Sequence, residues 1–313
     1  QQFLGLLPFE LTSAQKRVLT EIKSDITRPS PMLRLLQGDV GSGKTIVAAL
    51  AALQFIQQGQ QVVLMAPTEI LAEQHLTTFK EWFKPLSISV NLLVSKLPAA
   101  EKRQRLADIA SGETQLVIGT HALIQDKVVY HDLGFIIIDE QHRFGVEQRR
   151  TLKNKRADIH SVHQLVMTAT PIPRTLAMTF YADLDYSVID ELPPGRTPIE
   201  TVALSNDKRI EVIERVSNAC EQGRQVYWIC TLIEDSETLQ CQAAETTASE
   251  LAALLPNVNV GLVHGRLKSP QKQAVMSHFN RGDIQLLVAT TVVEVGVNVP
   301  NASLMIIENP ERL

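Results

Sequence analysis

Gly38-Asp39-Val40-Gly41-Ser42-Gly43-Lys44-Thr45 fits G-x-x-x-x-G-K-[ST], a loop whose backbone N–H groups close around phosphate oxygens. Its neighbours stand in the right order. The largely apolar run Met32–Leu36, broken by Arg34, precedes it and the Ala-rich stretch Ile46–Phe55 follows, which predicts strand, tight loop, helix. Gly38, Gly41 and Gly43, with Ser42 among them, let the backbone turn inward with no Cβ in the way. The helix N-terminus adds partial positive charge. Lys44 can reach the β- and γ-phosphates, and Thr45 can hold Mg²⁺ through its hydroxyl. The competing reading, a glycine turn that merely caps a helix, accounts for neither the fixed positions nor their context.

Working outward, Phe135-Ile136-Ile137-Ile138 runs straight into Asp139-Glu140. Four apolar residues in a row predict a strand covered on both faces, as in a parallel sheet. Open α/β sheets place ligands at the C-terminal ends of their strands. There Asp139 would hold the metal, and Glu140 would orient and deprotonate an attacking water. Leu304-Met305-Ile306-Ile307-Glu308-Asn309 looks much the same, so the Asp-Glu pair gains weight only beside the phosphate loop. Lys44 and Asp139 are expected to face each other across adjacent sheet edges.

Strand-like runs alternate with helical ones along the chain, at Val62–Ala66, Ile88–Val94, Leu116–Ile118 and Leu165–Met167, then again at Gln225–Cys230, Val258–Val263, Leu286–Ala289 and Leu304–Ile307. This alternation predicts an α/β fold with doubly wound parallel sheets. Leu192-Pro193-Pro194-Gly195-Arg196 interrupts it and marks a stiff connector. Two α/β halves follow, residues 1–193 with the phosphate loop and residues 194–313 without one. No repeat of 20–50 residues is evident. Thr168-Ala169-Thr170-Pro171-Ile172-Pro173-Arg174 follows a buried strand, so its threonines can exchange hydrogen-bond partners when a phosphate leaves. A hinged second half would turn that exchange into motion.

Composition sets limits. Of 313 residues, 44% are hydrophobic and 20% charged, a globular balance. The net charge of −4 gives no basic field, so any polynucleotide must be met by local patches. One candidate is the cluster Arg143, Arg149, Arg150, Lys153, Lys155 and Arg156; a solvated helix face is the alternative. The three cysteines lack C-x-x-C spacing and read as reduced thiols of a cytosolic protein. No apolar run approaches the roughly 18–20 residues that span a bilayer. The chain opens Gln1-Gln2-Phe3, without methionine, and is expected to be an excised or processed fragment.

With GDVGSGKT, DEQH, TATP and a second α/β half in that order, the chain resembles the superfamily-two helicases. Asp139-Glu140-Gln141-His142-Arg143-Phe144-Gly145-Val146-Glu147-Gln148-Arg149, Thr168–Thr175, Glu191–Thr197 and Thr290–Pro310 narrow the resemblance to the RecG-type branch-migrating DNA helicases. It implies two RecA-like lobes, ATP with Mg²⁺, and a monomeric cytoplasmic enzyme of DNA recombination and repair. The implied partner is branched DNA, gripped along its double-stranded arms, with no membrane involved. By the same resemblance Gln15, at the end of Phe9–Gln15, reads the adenine edge. Pro67 and Thr68, with Gly119, Thr120 and His121, contact DNA from the first lobe. His264, Gly265 and Arg266, with Thr290 and Thr291, do so from the second. Gly296 lies on that lobe's nucleotide side.

Two departures stand out. The family usually has Asp where this chain has Asn298; an amide keeps the shape and loses the charge. The family also continues beyond Leu313 into an arginine-bearing Gln-x-x-Gly-Arg-x-Gly-Arg stretch and carries a wedge domain upstream. The second lobe is therefore expected to be truncated, and the fragment to bind ATP with Mg²⁺ but hydrolyse it slowly. Two other classes use the same loop: a signalling or transport NTPase, and a module that binds nucleotide without turnover. TATP followed by PPGRT, and the lack of a Ser-Gly-Gly-Gln signature, argue against the first.

Overall fold

The computed structural model describes residues 3, 5, 7, 9–140, 162–170, 184–191, 199–231, 237–290, 299 and 301–310. The chain divides into two compact units, Gln1–Pro198 and Ile199–Leu313. The connector expected at Pro193-Pro194 lies outside the described residues.

In the first unit the elements run α1 (Ser13–Ile26), β1 (Leu33–Gly38), α2 (Lys44–Ile56), β2 (Gln61–Met65), α3 (Glu69–Phe83), β3 (Val90–Leu93) and α4 (Ala99–Ser111). β4 (Leu116–Gly119), β5 (Leu133–Asp139), β6 (His163–Thr168) and β7 (Asp185–Ile189) complete the sheet. Its strand order is β3-β4-β2-β5-β6-β1-β7, and every pairing is parallel. β2 is buried at every position and β5 at all but its last, as a sheet covered on both faces requires. Side chains alternate between the faces. Val62, Leu64, Phe135, Ile137, Leu165 and Met167 join one core. Val63, Met65, Ile136, Ile138 and Val166 join the other. β7 escaped the sequence reading because Asp185-Tyr186-Ser187-Val188-Ile189 is a mixed-polarity edge strand.

Charge is buried at the opposite end of β1 from the phosphate loop. The Arg34 guanidinium, 7% exposed, donates to Asp25 Oδ2 on α1 at 2.6 Å and to Ser187 Oγ on β7 at 2.7 Å. Losing one partner of such a pair costs more than the pair contributes. His163 opens β6 and accepts from the Met32 N–H at 3.1 Å through Nδ1, so it must be neutral; burial lowers its pKa from the ordinary 6.5.

The second unit runs α5 (Arg209–Glu221), β8 (Gln225–Cys230), α6 (Glu237–Leu254), β9 (Val260–Val263), α7 (Ser269–Arg281), β10 (Leu286–Ala289) and β11 (Ala302–Glu308). Its order is β11-β8-β10-β9, all parallel. β11, the look-alike of the Asp-Glu strand, leaves Met305 and Ile307 exposed. Cys220, Cys230 and Cys241 are buried and unbridged, and burial pushes the Cys230 thiol up to about 11.

The two units share one supersecondary pattern, on a longer scale than repeats of about 20–50 residues. The order β9-β10-β8-β11 reproduces β3-β4-β2-β5. Gln61 opens β2 and donates to the carbonyls of Ile109 and Thr114. Gln225 opens β8 and donates to those of Phe279 and Ile284. Gln115 accepts from the Ser89 N–H just as Gln285 accepts from that of Asn259. Gly112 and Gly282 end α4 and α7 in the left-handed region, at φ 84° and 85°. The offset is constant from Ser89–Asn259 through Thr120–Thr290. Identities are sparse because mostly the turn glycine, the buried amide and the apolar period are held in common.

Gly119 shows how tightly the sheet is closed at its working edge. A methyl group there would overlap the Leu93 carbonyl oxygen. Gly119→Ala is expected to cost about 1–3 kcal/mol, read as a fall in thermal midpoint. For His163 the folded pKa is depressed, so its contribution is full above pH 6.5 and is lost as pH falls through the folded value. His163→Asn, which keeps an acceptor but cannot titrate, should flatten that acid limb in pH-dependent denaturation.

Candidate functional site

The phosphate loop joins β1 to α2. Gly41 and Gly43 sit in the left-handed region, at φ 80° and 87°. Thr12 and Thr68 cap α1 and α3 through their side chains, but the N-cap of α2 is Gly43, with no side-chain acceptor and no acid in the first turn. That helix end is open to an anion. Ser42 Oγ is buried without a hydrogen-bond partner. The Lys44 ammonium folds over the loop and donates to the carbonyls of Gly38 at 2.6 Å and Asp39 at 3.1 Å. Thr45 is half-buried at the start of α2. These donors suit a polyphosphate.

Gln15 lies against this loop. Its amide donates to the Ser42 carbonyl at 2.9 Å and accepts from the Thr12 N–H at 3.0 Å. It is only 3% exposed. A methyl group on Gly43 would overlap the Gln15 amide nitrogen. The side chain expected to read a base is here bonded to the loop that would hold the phosphates. Ala14, on the same turn, donates its N–H to Glu191 Oε2 at 3.0 Å.

Asp139 and Glu140 end β5. They stand at the same sheet edge as the phosphate loop, with β6 lying between β5 and β1. Their spacing is therefore two strand intervals, roughly 10 Å. The register makes the insertion informative: Gln37 pairs with Thr168, and Asp139 with Met167. Thr168 thus ends β6 between the phosphate loop and the carboxylates. Its hydroxyl lies 2.8 Å from that of Thr170 and accepts from the Thr170 N–H at 3.2 Å. Glu140 is 8% exposed and takes φ 53°, a conformation that non-glycine residues adopt at a cost and often at functional positions.

On the other side of β5 the same edge carries the residues expected to touch DNA. Pro67 and Thr68 follow β2, and Thr68 Oγ1 caps α3 by accepting from Leu71 N–H at 3.3 Å. Gly119 ends β4 and its carbonyl accepts from Ala66 N–H at 2.8 Å. Thr120 is buried, its hydroxyl without a hydrogen-bond partner, and exposed His121 lies 3.3 Å from Ser95 Oγ. In the second unit, Thr290 follows β10 and its N–H donates to the Val263 carbonyl at 3.2 Å. That places Thr290 beside His264 at the end of β9. Both are buried, and His264 Nδ1 and Thr290 Oγ1 lack hydrogen-bond partners. Gly265 is half-buried and Arg266 exposed. Thr291, Gly296, Asn298, the segment 171–174 and the basic cluster at 143–156 lie outside the described residues.

One residue was missed. His75 Nε2 on α3 lies 2.8 Å from Asp139 Oδ2. A lone histidine inside a helix carries no motif, and only the phase of α3 over the sheet reveals it.

A phosphate loop and a strand-end Asp-Glu on one parallel sheet, followed by a second parallel α/β unit, define a P-loop protein of the two-unit helicase class. The chain belongs to the DEAD/DEAH box helicase family, matched over residues 12–179, with the helicase conserved C-terminal domain matched over 207–312. It is 61% identical to the ATP-dependent DNA helicase RecG of Pasteurella multocida, over 100% of this chain and 46% of that protein. With the protein of the same name from Escherichia coli strain K12 it shares 60%, over 100% of this chain and 45% of the relative. The chain thus spans under half the length of these curated relatives. The structure of RecG bound to a three-way DNA junction superimposes with a TM-score of 0.82 at 43% identity, covering 100% of this chain and 40% of that one. The helicase MrfA bound to DNA, at 17% identity and a TM-score of 0.69, shares the fold. The RecG-type resemblance and the two RecA-like parallel sheets read from the sequence are borne out.

Gly43→Ala should break the loop on two counts, left-handed backbone and overlap with Gln15. Nucleotide affinity is expected to fall about 5–150-fold, the equivalent of a 1–3 kcal/mol backbone penalty, in a fluorescent-nucleotide titration.

Proposed function

We propose that this chain is the ATP-driven motor core of a helicase or translocase acting on branched DNA. The observation that carries this reading is the order of five strand ends along one edge of the first sheet. β4 and β2 lead into Thr120 and Thr68, β5 and β6 end in Asp139 and Thr168, and β1 leads into the phosphate loop. Candidate backbone contacts therefore stand at one end of the row and the nucleotide loop at the other, with the carboxylates and the paired threonines between.

In this reading Lys44 and the N–H groups opening α2 hold the β- and γ-phosphates. Thr45 and Asp139 hold Mg²⁺, which would neutralise charge on the phosphate oxygens. Glu140 orients the attacking water and accepts its proton. Thr168 and Thr170, bonded to each other at 2.8 Å, are poised to change partners as the γ-phosphate departs. Gln15 reads the base once it leaves Ser42. Thr68, Gly119, Thr120 and His121 meet phosphate oxygens of a DNA strand with hydroxyls and N–H groups. His264, Gly265, Arg266, Thr290 and Thr291 do the same from the second unit, and Gly296 serves the nucleotide. The RecG relatives and the RecG–junction structure support branched DNA as the partner; a grip along its double-stranded arms and work in recombination and repair belong to the same proposal. A monomer acting in the cytoplasm is part of the same proposal; among the described residues no helix is long and apolar enough to cross a membrane.

Lys44→Ala is expected to abolish nucleotide binding. Glu140→Gln should leave binding intact and stop hydrolysis in the full-length protein. Both are read by nucleotide titration and phosphate release with and without a three-way junction. Wild-type affinity in Lys44→Ala would sink the motor reading.

A further inference from the structure

Asp139 does not stand alone at the end of β5. His75 Nε2 lies 2.8 Å from its Oδ2. A carboxylate only accepts, so Nε2 carries the hydrogen and donates. The pair is enclosed, with side chains 12% and 14% exposed, and the His75 ring stands edge-on to buried Phe79, 6.3 Å between centroids. Asp139 is thereby fixed through one oxygen, leaving Oδ1 for another ligand.

The helix that delivers His75 has a second attachment. α3 begins at Glu69, capped by the Thr68 hydroxyl, and Thr68 follows β2 at the edge shared with Gly119 and Thr120. Thr68 and His75 are separated by two helical turns, about 10 Å along the axis. A hydrogen-bonded helix transmits displacement over that span with little loss. Glu69 is further held by Lys96 at 2.8 Å, on the loop after β3.

We propose that His75 is a positioning residue that sets the Asp139 carboxylate for the metal, and that α3 carries the state of the Pro67–Thr68 backbone contact to it. The inference rests on the motor reading and deepens it, by naming how an occupied polynucleotide contact is reported to the metal-binding carboxylate. Partners held behind a metal ligand typically alter metal affinity about 10–100-fold when removed.

The experiment is a Mg²⁺ titration of fluorescent-nucleotide binding to the full-length protein, with and without a three-way DNA junction. In the wild type, DNA should lower the Mg²⁺ needed for half-saturation. His75→Ala should raise that requirement about tenfold or more and lose the response to DNA, while affinity measured in EDTA stays as in the wild type. His75→Gln, whose amide nitrogen can donate from a similar reach, should restore much of both. A purely structural role would instead lower affinity with and without metal alike. Unchanged metal dependence in His75→Ala, or no rescue by His75→Gln, would overturn the inference while leaving the motor reading standing. Nucleotide binding by the wild type that ignores Mg²⁺ would overturn both.

Discussion

Parallel pairing is the constraint from which the rest follows. Parallel strands send all their chain exits to the same side. The seven strands of the first sheet therefore gather residues from positions 38 to 170 along one rim, though few of them are close in sequence. The cost is a sheet buried on both faces, and the sequence meets it with near-continuous apolar strands. Helices packed on either side make the rim rigid. The rim's polar groups can then be left short of partners: the Ser42 and Thr120 hydroxyls are buried without hydrogen bonds, a deficit that a bound ligand would offset.

Much of this was legible in the chain because the signals are local. A phosphate loop spans eight residues and declares its strand and helix on either side. An apolar run that ends in two carboxylates declares a strand end. Helix α3 carries a clear apolar period, and Thr68 caps its start. What escaped depended on long-range register. Nothing in Phe135–Glu140 says that β6 separates it from β1. Nothing near Gln15 says that its amide ends on Ser42, 27 residues away. His75 meets Asp139 across 64 residues, and that meeting is set by how α3 lies on the sheet.

The internal duplication is instructive for the same reason. Two stretches with few identical residues build the same supersecondary unit, because the shared constraints are few and specific. A left-handed glycine ends the helix, and a glutamine accepts from the preceding loop. A second glutamine opens the central strand and binds two carbonyls. Those amides satisfy backbone groups that would otherwise be buried unpaired at the bottom of the sheet. The apolar positions in between vary widely, as where Val63 and Leu64 of β2 correspond to Tyr227 and Trp228 of β8. An eye searching for repeated letters passes over a repeat written in hydrogen-bond partners.

The clasp between Gln15 and the Ser42 carbonyl has a mechanical meaning. One buried amide ties α1 to the turn that opens α2. Under the proposed nucleotide reading, a purine edge that drew this amide away would release the Ser42 carbonyl and free the turn to reshape. The helix α1 would then act as a latch on the loop, with a single side chain for a bolt.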